Sequence, residues 1–194
     1  MIYDVNIKHS LKIAADLIKN GEIIIYPTDT IYGFGVDATN EKAVSKLNKL
    51  KKRQQVYSII VDSITMLEKY AQIDSKLKNK IQDYLPGPYT LILKKNKSNL
   101  CNLVTLELDT IGIRIPEHFF PCNLVKLINK PIITTSVNLH NTKNLIKIDD
   151  FLNFFPEINI FEDSNIVSKM INSTILDCTQ SKFNILRHGK GKII

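Results

Sequence analysis

The chain has 194 residues, of which 44% are hydrophobic and 23% are charged, and its net charge is +7. These values are typical of a soluble globular protein, and we predict one domain over residues 1–194. No apolar run approaches the roughly 20 residues that a membrane-spanning helix needs, and the first residues do not resemble a signal peptide. Cys101, Cys122 and Cys178 are far apart, which favours neither a disulfide framework nor a structural zinc site. We therefore expect a cytoplasmic protein.

Helical and strand patterns alternate early in the chain, and strands predominate late. The capping residues that we predict are Ser10, Thr39 or Asn40, Asp62 or Ser63, Asp74, and Asp149 or Asp150. Helices are predicted at 10–20, 40–50, 63–67, 74–85, 123–129 and 149–155. Strands are predicted at 23–25, 57–61, 89–93, 111–115, 132–135, 158–161, 174–177 and 183–187, with a loop at 96–109. This order predicts an α/β fold in which helices pack on one mixed sheet.

The segment at 26–35, YPTDTIYGFG, is the most informative part of the sequence. It follows an apolar run at 23–25, and Pro27 ends that strand because proline has no amide hydrogen to donate. Five hydroxyl or carboxyl side chains occur within the seven residues 26–32. Such a density of polar groups at a strand end is typical of a binding loop at the edge of an α/β sheet. A polar turn with glycines at special backbone angles is the alternative.

Several common catalytic signatures are absent or poorly placed in the sequence. GFGVDA at 33–38 fits the GxGxxA pattern, but 27–32 separates it from the strand and no acid lies where a ribose-binding carboxylate is expected. There is no GxxxxGK[ST], GxSxG or HExxH motif. His118 and His140 are isolated and are interpreted as loop residues.

Basic, hydroxyl and amide residues recur near predicted strand and helix ends. Any one of them is compatible with a solvated turn or a surface ion pair. Together they favour positioning and charge neutralisation, as in nucleotidyl or phosphoryl transfer, because arginine binds carboxylate and phosphate in a bidentate way. The residues are Lys51, Arg53, Thr110, Arg114, Ser136, Asn138, Ser173 and Arg187.

Seven segments occur in the order found in one known family. They are YPTDTIYGFG at 26–35, Lys51-x-Arg53, PGPYTLIL at 86–93, TIGIRIP at 110–116, PIITTSVNL at 131–139, STILD at 173–177 and ILRHG at 185–189. The chain resembles the YrdC-like family of threonylcarbamoyl-AMP synthases from about Asp16 to Gly191. Longer relatives carry a second C-terminal domain, and we expect the single-domain form here.

The resemblance implies a YrdC-like open, twisted, mixed β-sheet with flanking helices around a basic cavity. It also implies a reaction of L-threonine, bicarbonate or CO2, and ATP that yields threonylcarbamoyl-AMP and diphosphate, with Mg2+ accompanying ATP. The product would serve the threonylcarbamoyl modification of tRNA next to the anticodon. A separate tRNA threonylcarbamoyl transferase complex would carry out that last step.

The resemblance assigns roles to individual residues of this chain. Lys51 and Arg53 are expected to be catalytic and to face the phosphates. Thr30, Arg114 and Ser173 are expected to bind threonine. ATP is expected to contact Arg53, Thr110, Ser136, Asn138 and Arg187. The resemblance gives no metal ligand among the protein side chains.

The sequence departs from the family pattern at a second lysine. That lysine usually follows the arginine by four residues, in a pattern like KxRxxxKP, and Tyr57 stands there instead. Lys49 or Lys52 is a candidate substitute. The usual Ser-Ala-Asn is Ser136-Val137-Asn138, and the usual Ser-Gly after it is His140-Asn141.

Three other functions are alternatives to the synthase hypothesis. The charge of +7 and the basic helix end fit a module that binds tRNA or double-stranded RNA. A degenerate paralogue would bind ATP without turnover. A related carbamoyl transfer occurs in the YrdC-like portion of hydrogenase-maturation proteins, although those are parts of much longer chains.

Overall fold

A computed structural model describes residues 1–139, 142–165, 170–180 and 182–193. These residues form the following strands and helices in chain order. The strands are β1 Ile2–Asp4, β2 Ile24–Tyr26, β3 Gly33–Gly35, β4 Ser58–Ile60, β5 Tyr89–Lys94, β6 Thr110–Arg114, β7 Ile132–Ser136, β8 Asn159–Glu162, β9 Thr174–Asp177 and β10 Asn184–Arg187. The helices are α1 Lys8–Lys19, α2 Glu41–Leu50, α3 Ile64–Tyr70, α4 Ser75–Ile81, α5 Asn102–Thr105, α6 Phe119–Ile128 and α7 Ile148–Phe154.

The strands form one open mixed sheet in the order β1-β8-β2-β3-β7-β4-β6-β5-β9-β10. The pairs β1–β8, β2–β8, β4–β6 and β5–β9 are parallel, and the other neighbouring pairs are antiparallel. The central strands are buried on both faces, as their apolar sequences predict. The predicted α/β architecture is confirmed. None of the described helices is long and apolar enough to cross a membrane.

Three predicted helix caps are confirmed by hydrogen bonds. The side chains of Asn40, Ser63 and Asp74 accept hydrogen bonds from the backbone N–H groups of Ala43, Met66 and Leu77. Each bond satisfies one of the N–H groups that a helix start leaves without a partner within the helix.

The caps predicted for α1 and α7 are wrong. α1 begins at Lys8, and the hydroxyl of Ser10 lies inside the helix, where it donates to the Asp4 carbonyl at 2.6 Å. α7 begins after Lys147, so Asp149 and Asp150 occupy its first turn. They favour this helix electrostatically, because negative charge is stabilised at a helix N-terminus.

Three elements were missing from the sequence prediction. β1 is a three-residue strand that depends on its parallel partner β8. α5 is a single turn within the predicted loop at 96–109. β3 contains Gly33 and Gly35, which local propensity assigns to a turn. A Cβ on Gly35 would lie 2.6 Å from a ring carbon of the buried Tyr26, so the strand has no room for a side chain there.

Candidate active site

A polar cavity of about 290 Å³ opens along strands that are consecutive in the sheet, from β3 through β7, β4, β6 and β5 to β9. Loop residues and the last residue of β10 complete its wall. The lining residues are Thr30, Ile31, Tyr32, Gly33, Arg53, Gln55, Val56, Tyr57, Ser58, Thr90, Arg114, Thr134, Thr135, Ser136, Asn144, Asn172, Ser173, Ile175 and Arg187. Six residues predicted from the sequence are among them: Thr30, Arg53, Arg114, Ser136, Ser173 and Arg187.

Lys51, Thr110 and Asn138 do not line this cavity. Thr110 starts β6, four residues before Arg114, and therefore lies toward the opposite end of that strand. The Lys51 side chain is fully buried, and its Nζ lies 5.5 Å from the centre of the Phe34 ring. The prediction that Lys51 faces bound phosphates therefore does not describe this conformation.

Lys51 instead ties the end of α2 to the segment after β7. Its Nζ donates to the Ser136 carbonyl at 2.8 Å, to the Asn138 carbonyl at 3.3 Å and to Asn138 Oδ1 at 2.8 Å. Ser136 Oγ also donates to Asn138 Oδ1. Lys51 thus supports the backbone that presents Ser136 to the cavity.

We expect Lys51 to make stability depend on pH. Burial and the nearby Arg53 charge lower its pKa from 10.5 to about 7. Because the unfolded chain binds this proton more tightly, the free energy of unfolding should rise as the pH increases from 7 toward 10, by at most about 1.4 kcal/mol per unit. Urea unfolding at pH 7, 8 and 9 should show a steeper rise for wild type than for Lys51→Met. An equal rise of the free energy of unfolding with pH in both proteins would show that folding does not lower the pKa of Lys51.

Thr30 presents an acceptor to the cavity. The only hydroxyl hydrogen of Thr28 is donated to the Ile31 carbonyl at 2.7 Å. The 2.9 Å contact between the two threonine hydroxyls must therefore be donated by Thr30, and its backbone N–H donates to the same oxygen. Thr30 Oγ1 is left with free lone pairs, which suits an N–H or O–H group of a ligand.

Arg114 is buried and paired with Asp29. Its Nη2 donates to Asp29 Oδ1 at 2.6 Å, and the two side chains are only 6% and 7% exposed. Burial lowers the pKa of Arg114, while the Asp29 carboxylate acts in the opposite direction. Arg114 Nε is buried without a hydrogen-bond partner within the described residues. The guanidinium therefore retains donors after it has paired with Asp29.

Arg187 and Ser173 form a second anchored group. Arg187 Nε and Nη2 donate to the Ser173 carbonyl at 3.1 and 2.9 Å, and Nη2 also donates to Ser173 Oγ at 3.1 Å. Ser173 Oγ lies 2.7 Å from Thr90 Oγ1. Burial and, to a smaller extent, the positive charge of Arg114 lower the pKa of Arg187.

Arg53 approaches the cavity from beyond the end of α2, and its Nε is also buried without a partner in the described structure. Tyr57, which stands where the family usually has lysine, lines the cavity but donates its hydroxyl to Asn48 Oδ1 at 2.7 Å. Burial raises the pKa of Tyr57 to about 12, so this side chain is neutral. Lys49 and Lys52 are not lining residues, so neither replaces the missing lysine in this conformation.

The cavity is strongly positive. Three arginines line it, and no aspartate or glutamate is among its described lining residues. Ion pairs with carboxylates involve Arg114 but neither Arg53 nor Arg187 within the described ranges. Uncompensated guanidiniums in a concave, partly desolvated site favour an anionic ligand.

Sequence reasoning missed several lining residues. Thr90 was assigned to the interior of a strand, although its hydroxyl bonds to Ser173. Gln55, Asn144 and Asn172 carry amides in segments without a distinctive motif, and the side chain of Gln55 donates to Thr135 Oγ1. Among these residues, only Thr90 lies in a segment that the sequence analysis singled out, PGPYTLIL at 86–93. His118 caps α6 through Nδ1, and His140 lies outside the described residues.

The cavity offers polar groups for an anionic ligand but no cluster of metal-binding side chains. Within the ranges that the structure describes, no group of three or more histidine, cysteine, aspartate or glutamate residues is arranged to hold a metal ion.

Comparison with known proteins places the chain in a family. A family model described as "Telomere recombination", which covers the Sua5, YciO and YrdC proteins, matches residues 16–189. The chain belongs to the Sua5/YciO/YrdC family. A relative from Methanocaldococcus jannaschii, named a putative threonylcarbamoyl-AMP synthase, is 34% identical over 97% of this chain and 91% of its own length.

Solved structures of the family share the fold. Sua5 of Pyrococcus abyssi in complex with L-threonine is 29% identical, with a TM-score of 0.87 over 97% of this chain. The chain spans 57% of the length of that protein. YciO of Escherichia coli, at 20% identity, has a TM-score of 0.86 over 99% of this chain and 95% of its own. The predicted YrdC-like fold is therefore confirmed.

Proposed function

We propose that this protein is an L-threonylcarbamoyladenylate synthase, which forms threonylcarbamoyl-AMP and diphosphate from L-threonine, bicarbonate or CO2, and ATP. The observation that carries the proposal is the convergence of three guanidiniums on one cavity whose described lining residues include no aspartate or glutamate. The relationship to threonylcarbamoyl-AMP synthases over nearly the whole chain supports the same reaction.

The charges of the wall fit two anions of different size. Arg53 and Arg187 have no carboxylate partner within the described residues and suit the triphosphate of ATP. Arg114 is paired with Asp29 but retains N–H donors, and it suits the single carboxylate of an amino acid. Thr30 and Ser173 then lie beside the amino acid, where the Thr30 hydroxyl oxygen accepts a hydrogen bond from its amine or hydroxyl.

The bonds that form and break in this reaction all belong to the substrates. The threonine ammonium loses a proton, and the neutral amine attacks the carbon of CO2; one C–O π bond opens and the nitrogen loses a second proton, which gives a carbamate. With bicarbonate in place of CO2, the same carbamate forms with loss of a water molecule. A carbamate oxygen then attacks the α-phosphorus of ATP, and the bond to the diphosphate leaving group breaks. The arginines lower the barrier by holding both anions in line and by neutralising the charge that develops on the phosphate oxygens.

ATP enters this reaction as its Mg2+ complex. Because the described lining residues provide no carboxylate, the ion would be held by phosphate oxygens and water, as is common for Mg2+. Thr110, Asn138 and Lys51 do not line the cavity, and contacts between these residues and ATP remain a prediction. The product would pass to a tRNA threonylcarbamoyl transferase complex. The net charge of +7 also favours direct binding of tRNA.

Isotope incorporation tests this function. The purified protein is incubated with Mg2+–ATP, L-threonine and 13C-bicarbonate, and the adenylates are analysed by mass spectrometry. We expect an adenylate that carries both the threonine residue and one 13C atom. Binding of ATP without this product would identify a degenerate paralogue and contradict the proposal.

A further inference from the structure

Asp29 connects three segments of the chain behind the cavity. Its Oδ1 accepts from Arg114 Nη2 at 2.6 Å, and its Oδ2 accepts from the backbone N–H of Glu117 at 3.1 Å. Its backbone carbonyl accepts from Lys190 Nζ at 2.5 Å. Asp29 itself does not line the cavity, whereas Arg114 does.

This arrangement fixes the guanidinium of Arg114 from one side. Both carboxylate oxygens are engaged, and the side chain is almost completely buried, so the carboxylate is held in place by its own partners. A guanidinium has five N–H donors, and the bond to Asp29 uses only part of them. The rest of the group is then presented to the cavity in a defined orientation.

Asp29 also sets the charge of this wall. Without a carboxylate partner, a buried Arg114 would repel the guanidinium of Arg187, and its desolvation would be uncompensated. With Asp29 in place, the charge of Arg114 is balanced by an ion pair, whereas the charges of Arg53 and Arg187 are not balanced by any ion pair in the described structure.

We propose that Asp29 is a positioning residue for the amino-acid substrate: it orients the guanidinium of Arg114 toward a single carboxylate in the cavity. This inference rests on the proposed function, because it assigns the amino-acid carboxylate to Arg114. Asp29 acts through Arg114 and needs no contact with either substrate.

The inference is tested by measuring the two substrates separately. Calorimetry gives the Kd of L-threonine and the Kd of a non-hydrolysable ATP analogue for wild type and for Asp29→Asn. We expect the variant to bind threonine 10- to 100-fold more weakly and the ATP analogue within threefold of wild type. A merely structural role would weaken both ligands together, and equal threonine affinity would overturn the proposal.

Asp37→Asn is the matched control. Asp37 is also a buried carboxylate in an ion pair, with Lys130 at 2.7 Å, but it does not line the cavity or contact Arg114. We expect this variant to bind both ligands as wild type does. A comparable loss of threonine affinity in Asp37→Asn would show that the effect of Asp29 is not specific, and would overturn the inference.

Asp29→Glu covers the case in which Asp29→Asn does not fold. It keeps the charge but displaces the guanidinium by one methylene, so threonine binding should again weaken while the ATP analogue is unaffected. Wild-type threonine affinity in Asp29→Glu would overturn the inference if the asparagine variant is unfolded. If wild type itself binds no threonine, the proposed function fails first, and the two failures are thereby distinguished.

Discussion

Replacing Arg53 with alanine is expected to lower the rate of diphosphate release at least 100-fold. Arg53 lines the cavity without a carboxylate partner in the described structure, so its charge is available to the triphosphate. Removing one preorganised group that stabilises developing charge typically costs about 10²- to 10³-fold in rate. The protein should remain folded, because the substitution leaves no buried carboxylate unpaired.

Two variants make the Arg53 prediction specific. Arg53→Lys retains the positive charge but loses the bidentate geometry, and we expect it to recover part of the rate. Lys52→Ala removes an exposed cation next to Arg53 that does not line the cavity, and should release diphosphate as wild type does. Thermal unfolding monitored by circular dichroism checks the fold. Undiminished turnover in a folded Arg53→Ala protein would contradict the assignment of the phosphate site.

Replacing Arg114 with alanine is expected to cost both threonine binding and stability. The Asp29 carboxylate would stay buried without its 2.6 Å partner. Breaking a buried ion pair from one side typically destabilises a protein by about 3–5 kcal/mol, because the remaining charge is uncompensated. The free energy of unfolding in urea should fall by that order, and threonine binding should be lost in whatever fraction remains folded.

The double variant separates these two effects. Adding Asp29→Asn to Arg114→Ala removes the buried, unpaired carboxylate charge. We expect the double variant to regain most of the lost stability but not threonine binding. A double variant no more stable than Arg114→Ala would mean that the loss comes from packing rather than from the ion pair. Threonine binding in the double variant would show that the amino acid is held elsewhere.

The parts of the fold that depend on local chemistry were predictable from the sequence. Asn40, Ser63 and Asp74 cap helices with hydrogen bonds that span only three residues, so their signal is contained in a short segment. β1 depends instead on β8, which is distant in the chain, and β3 lies between its hairpin partner β2 and the distant strand β7. Gly33 and Gly35 have low strand propensity, and their extended conformation follows from pairing with β2 and β7.

In the candidate site, the sequence likewise indicates residues whose position in a strand is unusual, but not their partners from distant segments. Arg114 and Arg187 end strands, and an arginine in an apolar strand is costly unless it has an anionic partner. The sequence does not reveal which partner that is, because Asp29 reaches Arg114 across 85 residues. The sequence does not reveal the partners of Lys51 for the same reason: the oxygens that accept its hydrogen bonds belong to a segment 85 to 87 residues away.

The dependence of diphosphate release on both co-substrates tests the account most directly. Diphosphate is measured with purified protein, ATP and Mg2+, with L-threonine and bicarbonate each present or omitted. The account predicts release only when both are present, which would also show that Tyr57 is tolerated where the family usually has lysine. Diphosphate release that does not depend on threonine or bicarbonate would contradict the proposed reaction. The absence of release by a protein that binds ATP would also contradict it.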